Sequence, residues 1–124
     1  MVSHHSSKVS VCMTAYNQEA LIAVAVEGIL VQKTDFSVEF HIGDDCSTDR
    51  TGEICEDFAT RFPEVIRYHR RKHNLGMMPN FLATLAECDG KYIAWCEGDD
   101  YWIDDTKLQT QFDFMEASPD YALC

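Results

Sequence analysis

The sequence predicts an α/β fold in which a mainly parallel sheet is flanked by helices, and three observations carry that prediction. The 124 residues are the size of one domain with a core of its own. Short β-patterned runs alternate with segments of helical period, the order of βαβ units. Each run ends in polar residues: Thr14 to Asn17, Asp44-Asp45, the basic segment 67–73, and Glu97 to Asp100. Right-handed crossovers would gather those four ends at one edge of the sheet, where open α/β sheets bind ligands.

Val9, Val11 and Met13 alternate with Ser10, Cys12 and Thr14, a period of two that makes a first strand ending near Tyr16-Asn17. Asn17 is placed to cap a helix over residues 18–31, whose Leu21, Ile22, Ala25 and Ile29 leave so few polar positions that more than one side must be covered. The second strand sets Val38, Phe40 and Ile42 against Glu39 and His41, and runs out at Gly43-Asp44-Asp45. Ser47-Thr48-Asp49 then offers caps for a helix with Ile54, Cys55, Phe58, Ala59 and Phe62 inward, stopped by Pro63. A short third strand, 65–69, leads into Arg70-Arg71-Lys72-His73. Pro79 suits the first turn of a helix whose inner face is Phe81, Leu82, Leu85 and Ala86. Tyr92-Ile93-Ala94-Trp95 reads as a buried fourth strand between Gly90-Lys91 and Gly98. Leu108, Phe112 and Met115 mark a last helix face before Pro119, and residues 121–124 read as the start of another strand.

Residues 1–7 lack the apolar segment of a signal peptide and read as a disordered lead-in, leaving 8–124 as the folded part. The longest apolar run, 20–26, is too short to cross a bilayer. With 21 acidic against 10 basic side chains, a formal charge of −11, the chain is ill suited to nucleic acid or an anionic membrane as its main partner. Six cysteines show no C-x-x-C pair and no zinc spacing, and read as reduced core residues of a cytoplasmic protein.

Glu97, Asp99 and Asp100 put three carboxylates around Gly98 at a strand end, either a solvated acidic loop or hard oxygen ligands suited to Mg2+ or Mn2+. A cation there would bridge a diphosphate and offset charge on a departing nucleoside diphosphate. Asp44 and Asp45 serve either as a strand-to-helix turn or as an acceptor for the imide N–H that distinguishes uracil and thymine from cytosine. Arg67, His69, Arg70, Arg71 and Lys72 form a basic cluster, either a solvated patch or a phosphate contact through one guanidinium fork. His69 and His73 have helical zinc spacing but straddle a strand end with no third ligand. Neither G-x-G-x-x-G nor a P-loop follows the first strand, which argues against nicotinamide enzymes and P-loop kinases. A phosphoacceptor receiver would need its acid pair after the first strand, whereas Asp44-Asp45 follows the second.

Five pieces in order carry a resemblance: Val11-Cys12-Met13-Thr14-Ala15-Tyr16-Asn17 with Glu19 and Gln32, then Asp44-Asp45-Cys46-Ser47-Thr48-Asp49-Arg50-Thr51, Asn74-Leu75-Gly76, Gly90-Lys91-Tyr92-Ile93, and Glu97-Gly98-Asp99-Asp100-Tyr101-Trp102. Over residues 9–124 the chain resembles glycosyltransferase family 2, inverting enzymes of the Rossmann-like GT-A fold. The resemblance implies transfer of a sugar from a nucleotide diphosphate donor, most often a UDP-sugar, to a glycan or lipid-linked acceptor, as in polysaccharide synthesis at the cytoplasmic membrane face. It implies that Thr14, Tyr16, Asn17 and Glu19 line the nucleotide pocket, and that Asp44 or Asp45 meets the base. It places Glu97 near the ribose and gives Mn2+ or Mg2+ to Asp99, with Asp100 beside it.

Three departures stand out: Glu97 replaces an aspartate, Ala15 stands where proline often precedes the aromatic, and around Met77-Met78-Pro79-Asn80 only Asn80 is kept. The last leaves a phosphate contact to Arg70 or Arg71, of which Arg71 is the candidate. Members of the family run on further and carry their general base in the later half. The base is therefore expected beyond Cys124, and the chain is expected to be truncated and inactive alone. The competing expectation is a non-catalytic module that holds a nucleotide sugar.

Overall fold

Alternating apolar residues build the centre of the sheet. In a computed structural model, which describes residues 8–124, β1 (Lys8–Ala15) lies between β2 (Ser37–Asp44) and β4 (Tyr92–Trp95), with β3 (Ile66–Arg70) beyond β2. All three pairings are parallel, with Val11 opposite both Phe40 and Ala94. The helices α1 (Ile22–Leu30), α2 (Thr51–Arg61), α3 (Met77–Glu87) and α4 (Lys107–Ala117) connect or follow the strands in strict alternation. The expected lead-in, 1–7, lies outside the described residues. Among the described residues, no helix is long and apolar enough to cross a membrane.

The two faces of the sheet differ in chemistry. Val9, Val11, Met13, Phe40 and Ile42 pack with Ile22 and Val26 of α1, Phe58 of α2, and Leu108 and Phe112 of α4 into one apolar core. The alternate residues Ser10, Glu39, His41 and Gly43 face α3. That helix answers with polar side chains: Asn80 and Thr84 are its buried residues, and Asn80 Nδ2 donates to the Gly43 carbonyl at 3.0 Å.

Several expectations are corrected by this packing. The inner face of α3 is not apolar throughout, since Leu82 and Ala86 are exposed and Phe81 and Leu85 half-buried, because the sheet beneath is polar. Strand β4 is not buried: it is a sheet edge, with Trp95 56% exposed beside Phe81. Helix α1 begins at Ile22 because residues 18–21 form a turn in which the Leu21 and Ile22 N–H groups both donate to the Gln18 carbonyl, and Asn17 does not cap it. It buries a stripe of Ile22, Ala25, Val26 and Ile29, Ala23 and Leu30 also pack against the core, Gly28 lies against the Trp102 backbone, and Val24 is left exposed. Phe62 falls at the exposed C-cap of α2, β3 runs one residue later than expected, and residues 121–124 form no strand. All six cysteines are free, and Cys12, Cys55 and Cys96 are buried.

Beneath α3 lies a titratable cluster. His41 Nδ1 and His69 Nε2 are 2.9 Å apart, so one ring donates and the other accepts. His41 Nε2 lies 3.2 Å from Glu39 Oε2. Glu39 also accepts from Ser10 Oγ at 2.6 Å, from the Asp89 N–H at 3.0 Å and from Lys8 at 3.3 Å. Burial alone would raise its carboxyl, but these donors outweigh it and hold it at about 2. Burial, then His41, push the His69 imidazole below its ordinary value.

Two outcomes follow. Because the unfolded chain takes a proton at position 69 more readily, stability is present above the unfolded imidazole value and lost as pH falls through the folded one. The urea midpoint should therefore drop between about pH 7.5 and about pH 5.5, above the window in which Glu39 titrates, and His69→Gln should flatten the drop. A midpoint that rises on acidification contradicts this. Separately, a Cβ at position 43 would collide with Thr84 Oγ1 and lie 3.0 Å from Asn80 Oδ1. Gly43→Ala should cost about 1–3 kcal/mol in chemical unfolding, with part recovered when Thr84→Ala is added.

Candidate functional site

The carboxyl ends of β1, β2 and β3 are joined by side chains reaching from one segment to the next, and that of β4 is joined to β1 by backbone bonds. Asp44, the last residue of β2, is fully buried. Its Oδ1 accepts from the Ser47 N–H at 3.0 Å and the Ser47 hydroxyl at 2.5 Å. Its Oδ2 accepts from the Tyr68 hydroxyl at 2.5 Å and Arg70 Nη1 at 3.3 Å. Those donors fill the roughly four lone-pair sites of a carboxylate. Burial, then Asp44, raise the Tyr68 phenol well above its ordinary value, so it donates rather than ionises.

Ser47, held this way, also accepts the Asn17 N–H at 3.0 Å. Asn17 stands at φ 49°, and its Oδ1 accepts the Thr48 N–H at 2.8 Å. Thr51 Oγ1 accepts the Gln18 N–H, and the Asp49 carboxylate accepts the N–H groups of Glu19 and Thr51. The 16–19 and 47–51 loops are thus laced by side-chain to backbone bonds, each satisfying a group left unpaired at a strand or helix end. The D-D-x-S-x-D-x-T spacing was the sequence signal for this lacing. Its role in binding the neighbouring loop, added to the bond that Asp49 accepts from the first N–H of its own helix, depends on which strands are adjacent.

Asp45 is also buried but less committed. Its two oxygens accept the Leu75 N–H at 2.7 Å and the Gly76 N–H at 3.0 Å, drawing in the loop before α3. About two acceptor positions remain on it. Gly76 takes φ 97°, a left-handed conformation suited to glycine.

The acids after β4 are pinned to β1. The Cys96 N–H donates to the Cys12 carbonyl and the Gly98 N–H to the Thr14 carbonyl, at 3.0 and 2.9 Å. Gly98 is required by space, because a Cβ there would meet the Gln18 side chain, Ile22 and Ala15. Carboxylate oxygens of Glu97, Asp99 and Asp100 lie within 4.8 Å of one another, Glu97 half-buried and the two aspartates exposed. Burial, then Asp100, push the neighbouring Cys96 thiol up to about 11.

Of the residues singled out from sequence, Thr14 is buried at the end of β1 and Tyr16 is exposed beside it. Asn17 and Glu19 are backbone-linked into the lacing. Arg71 turns toward α3, its Nε donating to Asn80 Oδ1 at 2.9 Å and its Nη2 to Thr84 Oγ1 at 2.8 Å. Tyr68 and Arg70, the braces of Asp44, carried no such signal, since their role depends on β3 lying beside β2.

Asp44→Asn would place an amide that donates where Tyr68 or Arg70 needs an acceptor. Thermal and urea unfolding should show a loss on the order of 1–3 kcal/mol. Wild-type stability in this variant would mean that Asp44 is not the organiser of these loops.

Comparison with known proteins adds four findings. The family model for glycosyl transferase family 2 matches residues 10–124. An uncharacterised Mycobacterium tuberculosis protein is 41% identical over 115 residues, which is 93% of this chain and 33% of that protein. Among solved structures, TarS of S. aureus in complex with UDP has a TM-score of 0.76 at 26% identity, covering 89% of this chain and 32% of that one. The mannosyltransferase PcManGT from Pyrobaculum calidifontis, in complex with GDP-Man and Mn2+, has a TM-score of 0.80 at 19% identity, covering 92% and 34%. The chain spans about a third of the length of these matches.

Proposed function

The chain belongs to glycosyl transferase family 2, and from that premise we propose that it is the donor-binding part of a metal-dependent, inverting transferase whose donor is a nucleotide diphosphate-sugar, foremost a UDP-sugar. The observation that carries the proposal is the set of three carboxylates within 4.8 Å, hung from β1 by the bond from Gly98 to Thr14. TarS, with which the chain shares its GT-A fold, was solved with UDP.

Hard oxygen donors, two of them exposed, fit Mn2+ or Mg2+ with room for diphosphate oxygens. Asp99 and Asp100 would hold the ion, and Glu97 would turn to the ribose. When bound, the ion supplies positive charge against the diphosphate that leaves with the nucleoside. Asp45 is the better candidate than Asp44 for the base imide N–H, because Asp44 has no acceptor position left. Thr14 and the exposed ring of Tyr16 would line the base pocket, with Asn17 and Glu19 keeping its wall in place. Two of the Arg71 nitrogens are engaged by α3, which leaves Nη1 to reach a phosphate. The acceptor, a glycan or lipid-linked sugar met at the cytoplasmic membrane face, and the base that deprotonates it would be handled by residues beyond these, so the chain alone would bind donor without transfer.

The test is thermal unfolding with UDP, GDP, dTDP and ADP, each with Mn2+ and again with chelator. A ligand at about a hundred times its Kd stabilises by roughly 2.7 kcal/mol, so UDP with Mn2+ should raise Tm clearly. Chelator or Asp99→Asn should remove the gain. Equal stabilisation by ADP, or stabilisation indifferent to chelator, counts against the proposal.

A further inference from the structure

The acidic loop is held at two places, and only the first lies beside the acids. Upstream, Cys96 and Gly98 donate to β1. Downstream, the loop is gripped by the carboxyl end of α1 and the residues after it. The Gln32 carboxamide uses both its functions there: Nε2 donates to the Asp104 carbonyl at 2.7 Å and the Gly28 carbonyl at 3.3 Å, while Oε1 accepts the Leu108 N–H at 3.0 Å. Next to it the Lys33 N–H donates to the Asp105 carbonyl at 2.8 Å. One turn earlier, Gly28 admits the Trp102 backbone, whose carbonyl oxygen would stand 3.1 Å from a Cβ at that position. Between the two anchors Asp99, Asp100, Tyr101 and Ile103 are exposed.

We propose that Gln32 is a positioning residue for the metal-binding acids: by clamping Asp104 and the first turn of α4 to the end of α1, it fixes the path of residues 99–103 and with it the spacing of Asp99 and Asp100. The inference rests on the reading above, in which those acids hold a divalent cation. The chemistry explains the residue type. The place needs a donor and an acceptor in one plane. Glutamate supplies no donor for Asp104, and asparagine is one methylene short. A purely structural Gln32 would tie α1 to α4 and have no bearing on the acids.

Mn2+ binding to the full 124-residue chain, followed by electron paramagnetic resonance of the free ion, separates the two. Measurements are made where circular dichroism shows every variant folded. Gln32→Met keeps the length and removes both hydrogen-bonding functions, and it should weaken Mn2+ binding about tenfold, as loss of groups supporting metal ligands does. Gln32→Glu, which can still accept from Leu108, provides a second variant if the first folds poorly, and should also weaken binding. Ile66→Val, a core change of comparable destabilisation far from the loop, should leave Mn2+ binding unchanged. Wild-type affinity in both Gln32 variants overturns the positioning role while leaving the metal reading intact. A wild-type chain that takes up no Mn2+ at millimolar concentration overturns the metal reading and this proposal together.

Discussion

A carboxylate taken wholly out of water has to be surrounded by donors, and Asp44 is that carboxylate here. It draws Ser47 from its own loop and Tyr68 and Arg70 from β3, and its carbonyl accepts the Arg71 N–H. Ser47, once fixed, receives Asn17, and Asn17 in turn receives Thr48. The end of β1 is thereby set relative to the end of β2. Since Gly98 hangs from Thr14, the acids after β4 inherit their place from the same chain of contacts.

The same economy governs the sheet as a whole. One face is apolar and packs in the usual way under α1, α2 and α4. The other holds Glu39, His41 and His69, and the helix above it turns polar side chains inward. Asn80 bonds the Gly43 carbonyl, Arg71 after β3 ties Asn80 and Thr84 to the sheet, and Gly43 lets α3 come close enough for those short side chains to reach, while Glu39, His41 and His69 are partnered among themselves and by Ser10, Lys8 and the Asp89 N–H. A polar interface of this kind is demanding, because each group left without a partner costs more than an apolar contact returns.

Much of this was legible in the sequence and the remainder was not for identifiable reasons. The order of elements, the parallel sheet and the gathering of strand ends follow from periodicity and from the handedness of crossovers. The α3 face did not, because Phe81, Leu82, Leu85 and Ala86 have helical spacing whichever way the helix turns, and only the polarity of the opposing strands chooses Asn80 and Thr84. The exposure of Trp95 was equally hidden: a mixed apolar run reads the same in a central strand as at the edge where β4 lies. Asn17 is a sound cap by type, but it caps across to the neighbouring loop instead of along its own, a choice made by strand adjacency.

The acids at the sheet edge divide by exposure and by the number of donors that answer them. Asp44, with no exposure and every acceptor position filled, can only hold structure together. Asp45, buried but answered only by two backbone N–H groups, shapes the loop before α3 and keeps about two acceptor positions. Asp99 and Asp100 are exposed, on a loop after an edge strand, where no β-strand among the described residues lies on the open side. Carboxylates in that position can meet an ion and a diphosphate without first being stripped of internal partners. Acids that build the fold and acids free to bind a ligand therefore sit side by side in sequence and in space, and what separates them is how many donors the protein itself provides.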